Sequence, residues 1–146
     1  MSDIRELYQE VIIDHGRHPR NFGELPSCNH SKEGFNPLCG DKITVYLDIQ
    51  DGVVKDVKFS GSGCAISTAS ASLMTQAIKG KALTEIEYLF GQFHDLLLKE
   101  GDGEGLDKLT VLTGVKAYPA RVKCATLAWH TLMAAIKNDK TVISTE

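Results

Sequence analysis

The sequence predicts an α+β fold with an N-terminal helix, a small antiparallel β-sheet of about three strands, and helices packed on one face of that sheet. Apolar residues recur with helical spacing near the N-terminus, alternate with polar residues over 42–50, and return to helical spacing further on. The 146 residues contain no internal repeat or low-complexity linker and can bury one core. We therefore expect a single domain over residues 1–146.

The first helix is expected from Asp3 to about Gly16. Its apolar residues follow an i, i+3, i+4, i+7, i+8 pattern and form one stripe: Ile4, Leu7, Tyr8, Val11 and Ile12. Asp3 is suited to cap its N-terminus, and Gly16 followed by Pro19 is suited to end it. Residues 17–38 then read as a loop, with a short strand expected within 28–35.

A β-hairpin is predicted over residues 42–60. Its first strand alternates Ile43, Val45, Leu47 and Ile49 with polar residues, and Asp51-Gly52 is a typical two-residue hairpin turn. Cys39 precedes the first strand and Cys64 follows the second. Because a hairpin brings its two ends together, these cysteines are predicted to be neighbours in space.

The rest of the chain is predicted to be mainly helical. Helices are expected over 65–78, 85–100 and 119–138, with a short one over 106–113 and a flexible glycine-rich loop at 101–105. Small residues crowd one face of the helix over 65–78, and Cys124 lies in the first turns of the last helix.

Composition excludes several classes of function. The net charge is −3 and there is no basic run, which argues against nucleic-acid binding. The longest apolar runs are too short to span a membrane, and the polar N-terminus does not resemble a secretory signal. We therefore expect a cytoplasmic protein, in which the four cysteines are metal-binding or reactive rather than disulfide-bonded.

The contexts of Cys39, Cys64 and Cys124 favour ionised thiols. Cys39 and Cys64 have neighbouring glycines, whereas Cys64 and Cys124 lie near predicted helix N-termini, where the helix dipole favours a thiolate. With Asp41 they offer three thiolates and one carboxylate, a ligand set for Zn²⁺ or for an iron–sulfur cluster. The competing interpretation is that each is an ordinary buried thiol, since no CxxC pair is present.

The remaining candidate ligands have weaker contexts. Cys28 lacks the glycine and acidic neighbours and is expected to be an ordinary thiol. Among the histidines, His15, His18 and His30 are expected to be solvated, and His94 and His130 to lie on helix surfaces.

Three segments together resemble the cysteine motifs of the IscU/NifU iron–sulfur cluster assembly family. They are PLCGD over 37–41, GSGCAIS over 61–67 and RVKCATLAW over 121–129. The opening helix with DHGRHPRN over 14–21 is similar to the start of that family. The resemblance covers nearly the whole chain and implies an IscU/SufE-like fold.

Within that family the chain resembles the SufU branch. Lys123 stands where scaffold-type members have a histidine, and about 91–110 is an extra segment relative to them. The scaffold branch's proline-rich chaperone motif is replaced by AYPAR over 117–121.

This resemblance implies a zinc site of Cys39, Asp41, Cys64 and Cys124 and a pyridoxal-phosphate cysteine desulfurase of the SufS type as partner. Cys39 would leave the metal, accept the persulfide sulfur and pass it to downstream Suf assembly proteins or apo-proteins, with Arg121 supporting the site. Such a chain is a sulfur carrier rather than a stand-alone enzyme. The alternatives are a scaffold that assembles a [2Fe–2S] or [4Fe–4S] cluster on Cys39, Cys64 and Cys124, and a structural zinc domain that only binds partners.

Overall fold

The computed structural model describes residues 2–37, 39–98, 107–137 and 143–144. Its elements in chain order are α1 Ser2–Arg17, β1 His30–Asn36, β2 Asp41–Gln50, β3 Val53–Ser62, α2 Ala65–Ile78, α3 Leu83–Leu98, a 3₁₀ helix Asp107–Ala117, α4 Pro119–Lys137 and β4 Ile143–Ser144. This is the predicted α+β arrangement of a helix, a sheet and further helices.

The predicted elements are confirmed with small changes at their ends. The hairpin, α1, α2 and α4 lie where the sequence placed them, and α3 begins at Leu83. The short helix is a 3₁₀ helix and extends to Ala117. The predicted glycine-rich loop over 101–105 lies outside the described residues, as does residue 138. The proposed insertion over about 91–110 is described only over 91–98 and 107–110.

The sheet has the strand order β3-β2-β1-β4. β2 pairs antiparallel with β1 and β3, and the turn between β2 and β3 places Asp51 (φ 54°) and Gly52 (φ 74°) in the left-handed region. Two such residues form the turn type whose twist matches that of the flanking strands. The short β4, which the sequence did not predict, pairs parallel with β1.

Helices cover one face of this sheet, as predicted. Ile43, Val45 and Leu47 of β2 are buried beneath α4, and α2 packs against β3, whereas Thr44 and Tyr46 on the opposite face remain partly exposed. The core formed between the two layers includes Trp129, Phe93, Met74, Ile78, Ile86, Leu109, Leu112, Leu127 and Leu132. No helix in the described part of the chain is both long and apolar enough to cross a membrane.

The small-residue face of α2 lets two helices approach it closely. A Cβ added to Gly16 of α1 would lie only 3.3 Å from the Cβ of Ala65. Ser72 accepts a hydrogen bond from the backbone N–H of Arg20 (2.8 Å) and bonds to Nδ1 of His15 (2.7 Å). His15 is therefore 3% exposed, and the expectation that it is solvated is wrong, because the end of α1 packs against α2.

The packing of α3 against α4 generates a stability prediction. Trp129 is fully buried and stacks on Phe93 with ring centroids 5.1 Å apart. Trp129→Ala should lower the free energy of unfolding by about 3–5 kcal/mol in urea titrations followed by circular dichroism. Trp129→Phe should cost clearly less, because it keeps a stacked ring and removes an indole N–H that lacks a hydrogen-bond partner among the described residues.

The matched control is Tyr88→Ala on the outer face of α3. Tyr88 is 51% exposed, so its truncation should change the unfolding free energy by no more than about 0.5 kcal/mol. A loss for Trp129→Ala no larger than the Tyr88→Ala loss would contradict the packing account.

Candidate metal centre

Three of the predicted ligand residues converge at the end of the sheet nearest the start of α4. Cys39 lies in the β1–β2 turn, Asp41 begins β2, and Cys124 lies in α4. Their ligand atoms are all within 4.8 Å of one another, and the two sulfurs are 3.2 Å apart. Residues 85 positions apart in sequence are thus brought into direct contact by tertiary structure.

The turn that carries Cys39 is fixed at both ends by the sheet. Asn36 and Asp41 are paired across β1 and β2, and the backbone N–H of Cys39 donates to the carbonyl of Asn36 at 3.3 Å. Gly40 has a φ of 70°, which is favourable for glycine and strained for other residues. This conformation directs Cys39 and Asp41 toward the same point.

α4 is held in place beside α2, and this positions Cys124. The hydroxyl of Ser70 on α2 donates to the carbonyl of Ala125 at 2.5 Å, one residue after Cys124. Cys124 has no exposed surface and its thiol donates to the carbonyl of Ala120 at 3.6 Å.

Cys64 borders this group and is linked to it through its backbone. Its N–H donates to Oδ1 of Asp41 at 2.9 Å, while its sulfur caps α2 by accepting from the N–H of Ser67 at 3.4 Å. The hairpin therefore brings Cys64 beside the group, as predicted, although its sulfur lies outside the set of three converging ligand atoms.

The cluster has a buried side and an accessible side. Asp41 and Cys124 are 1% and 0% exposed, whereas Cys39 and Cys64 are partly exposed and Arg121 is exposed. Burial, together with hydrogen bonds to Cys39, Asp41 and Cys64, raises the pKa of the Cys124 thiol. The charge of the Cys64 thiolate, followed by a hydrogen bond and charge from Cys124, raises the pKa of Arg121.

These residues fit a thiophilic divalent cation. The sulfur and carboxylate donors of Cys39, Asp41 and Cys124 converge, and Cys64, which is bonded to Asp41 through its backbone, offers a further sulfur at the border. Zinc prefers such sets of four, and thiolates also bind iron in clusters. Because burial disfavours ionisation of Cys124, a cation is what would make a deprotonated cluster stable here.

Sequence reasoning missed two residues at this site, Asn36 and Gly63. The Asn36 amide nitrogen is 3.4 Å from Oδ2 of Asp41 and 3.6 Å from the sulfur of Cys124. A Cβ on Gly63 would lie 2.6 Å from Oδ1 of Asp41, so only glycine leaves room for that carboxylate. In the sequence both residues lie beside the site cysteines, and this position is the signal by which they could have been found.

The other candidate ligands lie elsewhere. Cys28 is partly exposed in the loop before β1 and is not among the residues whose ligand atoms meet. His94 and His130 flank Phe90 and line a cavity of about 490 Å³. His130 is half-buried on α4, less exposed than the surface position predicted for it, and this burial lowers its pKa.

Curated relatives match nearly the full length of the chain. This chain is 46% identical over 135 residues to the iron–sulfur cluster assembly scaffold protein IscU of Thermotoga maritima, and the match covers 92% of this chain and 95% of that protein. It is 39% identical over 143 residues to the zinc-dependent sulfurtransferase SufU of Bacillus subtilis, covering 95% of each.

Solved structures agree with the fold. A crystal structure from Fervidobacterium islandicum, described as a candidate iron–sulfur cluster assembly scaffold protein for the SUF system, has a TM-score of 0.84 and 36% sequence identity; 90% of this chain and 98% of that chain are covered. The family model for the NifU-like N-terminal domain matches residues 7–143. The chain therefore belongs to the IscU/NifU family of iron–sulfur cluster assembly proteins, as its cysteine motifs predicted.

Proposed function

We propose that this protein is a zinc-dependent sulfurtransferase that accepts persulfide sulfur on Cys39 and passes it on for iron–sulfur cluster assembly. The observation that carries this proposal is the placement of Cys39: it is the partly exposed thiol in direct contact with the buried Cys124. A sulfur acceptor must be both activated and accessible to its donor. The name of the Bacillus subtilis relative supports the same activity.

Cys39, Asp41, Cys64 and Cys124 would hold the zinc ion. When bound, Zn²⁺ keeps coordinating thiols deprotonated at neutral pH. The chain's own residues supply the rest: Asp41 is held by the N–H of Cys64, and Cys124 is enclosed by α4 and the sheet. Asp41 and Cys124 form the buried side of the centre, and Cys39 lies on its accessible side.

The proposed transfer is a thiol–persulfide exchange. The Cys39 thiolate attacks the outer sulfur of a persulfide on the desulfurase, forming a new S–S bond to Cys39. The S–S bond within the donor persulfide breaks, and its electron pair leaves on the donor thiolate. Oxidation states are exchanged between the two proteins, so no external oxidant or reductant is required.

The proposed partner is a pyridoxal-phosphate cysteine desulfurase of the SufS type. The accessible side of the centre carries Cys39, Cys64 and the exposed guanidinium of Arg121. A positive group there stabilises thiolates and an incoming persulfide anion. Downstream Suf assembly proteins or apo-proteins would then take the sulfur from Cys39.

The second candidate function is scaffolding, with a [2Fe–2S] or [4Fe–4S] cluster as cargo on Cys39, Cys64 and Cys124. The convergence of sulfur donors suits iron as well as zinc, and the Thermotoga maritima relative is named as a scaffold. Anaerobic reconstitution followed by Mössbauer spectroscopy, with transfer to an apo-ferredoxin, separates scaffolding from sulfur transfer.

The carrier proposal is tested by Cys39→Ser. The zinc-loaded wild-type protein should stimulate a SufS-type desulfurase and acquire sulfane sulfur that mass spectrometry locates on Cys39. Cys39→Ser should abolish both, because the hydroxyl cannot accept sulfur, while Cys28→Ser should retain both. Undiminished stimulation by the Cys39→Ser protein would refute the proposal.

Metal binding is tested separately with Gly63→Ala. The added Cβ would displace the Asp41 carboxylate from its position, so zinc affinity measured by chelator competition should fall about 10- to 100-fold. Gly91→Ala is the matched control, because no atom lies within 4 Å of its added Cβ; it should leave zinc affinity unchanged and raise stability by up to about 1 kcal/mol. Equal zinc affinities for the two variants would argue against Asp41 as a ligand.

The role of Arg121 is tested by removing its positive charge. Arg121→Ala should slow sulfur acceptance from the desulfurase about tenfold at low salt, Arg121→Lys should slow it less, and added salt should reduce the difference. Arg17→Ala, an exposed arginine on α1, serves as the control. A rate for Arg121→Ala that matches wild type at low salt would remove Arg121 from the mechanism.

A further inference from the structure

Asn36 is a wholly buried amide at the edge of the metal centre. It is the last residue of β1, and the β-sheet register places it directly opposite Asp41 on β2. Neighbouring positions of β1 that share its face are also buried, whereas the alternate positions are exposed. The pleat of the strand therefore directs Asn36 inward, beneath the helices and toward Cys124.

The amide nitrogen of Asn36 lies between two of the proposed metal ligands. It is 3.4 Å from Oδ2 of Asp41 and 3.6 Å from the sulfur of Cys124, which comes from a different element. An amide NH₂ has two hydrogens, so it can donate to both acceptors at once. Contacts to sulfur are normally longer than those to oxygen, in keeping with the two distances.

The Asp41 carboxylate is consequently held from two directions. Its Oδ1 accepts from the backbone of Cys64 at the start of α2, and its Oδ2 faces the amide of Asn36 on β1. Outer hydrogen-bond partners of this kind fix the orientation of a metal-ligating carboxylate and tune its basicity. Because Asn36 is neutral, it stabilises negative charge on oxygen and sulfur without competing for the cation.

We propose that Asn36 is a positioning residue of the metal centre, whose amide orients Asp41 and stabilises the buried Cys124 thiolate for metal coordination. The inference rests on the proposed metal site and extends it to a residue that does not itself bind the ion. An apolar side chain of the same size would fill the space but would leave the carboxylate and the thiolate without this donor, and buried anions lacking a donor are costly. The centre therefore requires the hydrogen-bond donor of the Asn36 side chain rather than its volume.

Two substitutions of closely similar size test this distinction. Asn36→Leu and Asn36→Asp each remove the donor, and the second also adds negative charge. Both should weaken Co²⁺ binding about 10- to 100-fold, and the thiolate-to-cobalt charge-transfer band should change in energy or intensity. Asn29→Asp is the matched control, because Asn29 is exposed and its amide bonds to the backbone of Ile49; it should bind Co²⁺ as wild type does.

The outcomes separate this inference from the proposed function. If wild type itself shows no thiolate-to-cobalt band, the proposed metal site fails. If wild type shows the band and both Asn36 variants match it in affinity and spectrum, Asn36 is only a space-filling residue and the inference is overturned. If Asn36→Leu does not fold by circular dichroism without metal, the Asn36→Asp protein, which keeps a polar side chain, decides the question by the same two readouts.

Discussion

The hydrogen bond between the Asp41 carboxylate and the backbone N–H of Cys64 is the constraint on which the rest of the centre depends. It joins the start of β2 to the start of α2, across the two ends of the hairpin. Glycine at position 63 is what allows the carboxylate to approach so closely. Once these two chain segments are joined, Cys39 and Cys64 are carried to the same end of the sheet.

The packing of the helices completes the arrangement from the opposite side. α2 presents small residues, so α1 and α4 can both lie close to it, and the Ser70–Ala125 hydrogen bond holds α4 next to α2. The rigid core around Trp129 then places Cys124 under the sheet with little freedom to move. The division into a buried pair, Asp41 and Cys124, and a partly exposed Cys39 is therefore a consequence of packing, and it suits the proposed sulfur transfer.

Most of the fold could be predicted from the sequence because its local signals agree with one another. The alternation over residues 42–50, the Asp51-Gly52 turn and the helical stripes are each determined by neighbours in sequence. Three of the four residues predicted as ligands from their motifs, Cys39, Asp41 and Cys124, have converging donor atoms in the structure. Solvent exposure was less predictable: His15 was expected at the surface, yet α1 packs it against Ser72, a residue 57 positions away.

By itself, then, the sequence determined the order of helices and strands, the meeting of the two hairpin ends, and the cysteine motifs that define the family. Only the tertiary structure decided which thiol is buried, which is accessible, and which uncharged neighbours support them. The physical reason is that burial and hydrogen bonding of Cys124 depend on β1, α2 and the β1–β2 turn, which are distant in sequence. Asn36 and Gly63 come close to the Asp41 carboxylate only where those elements meet.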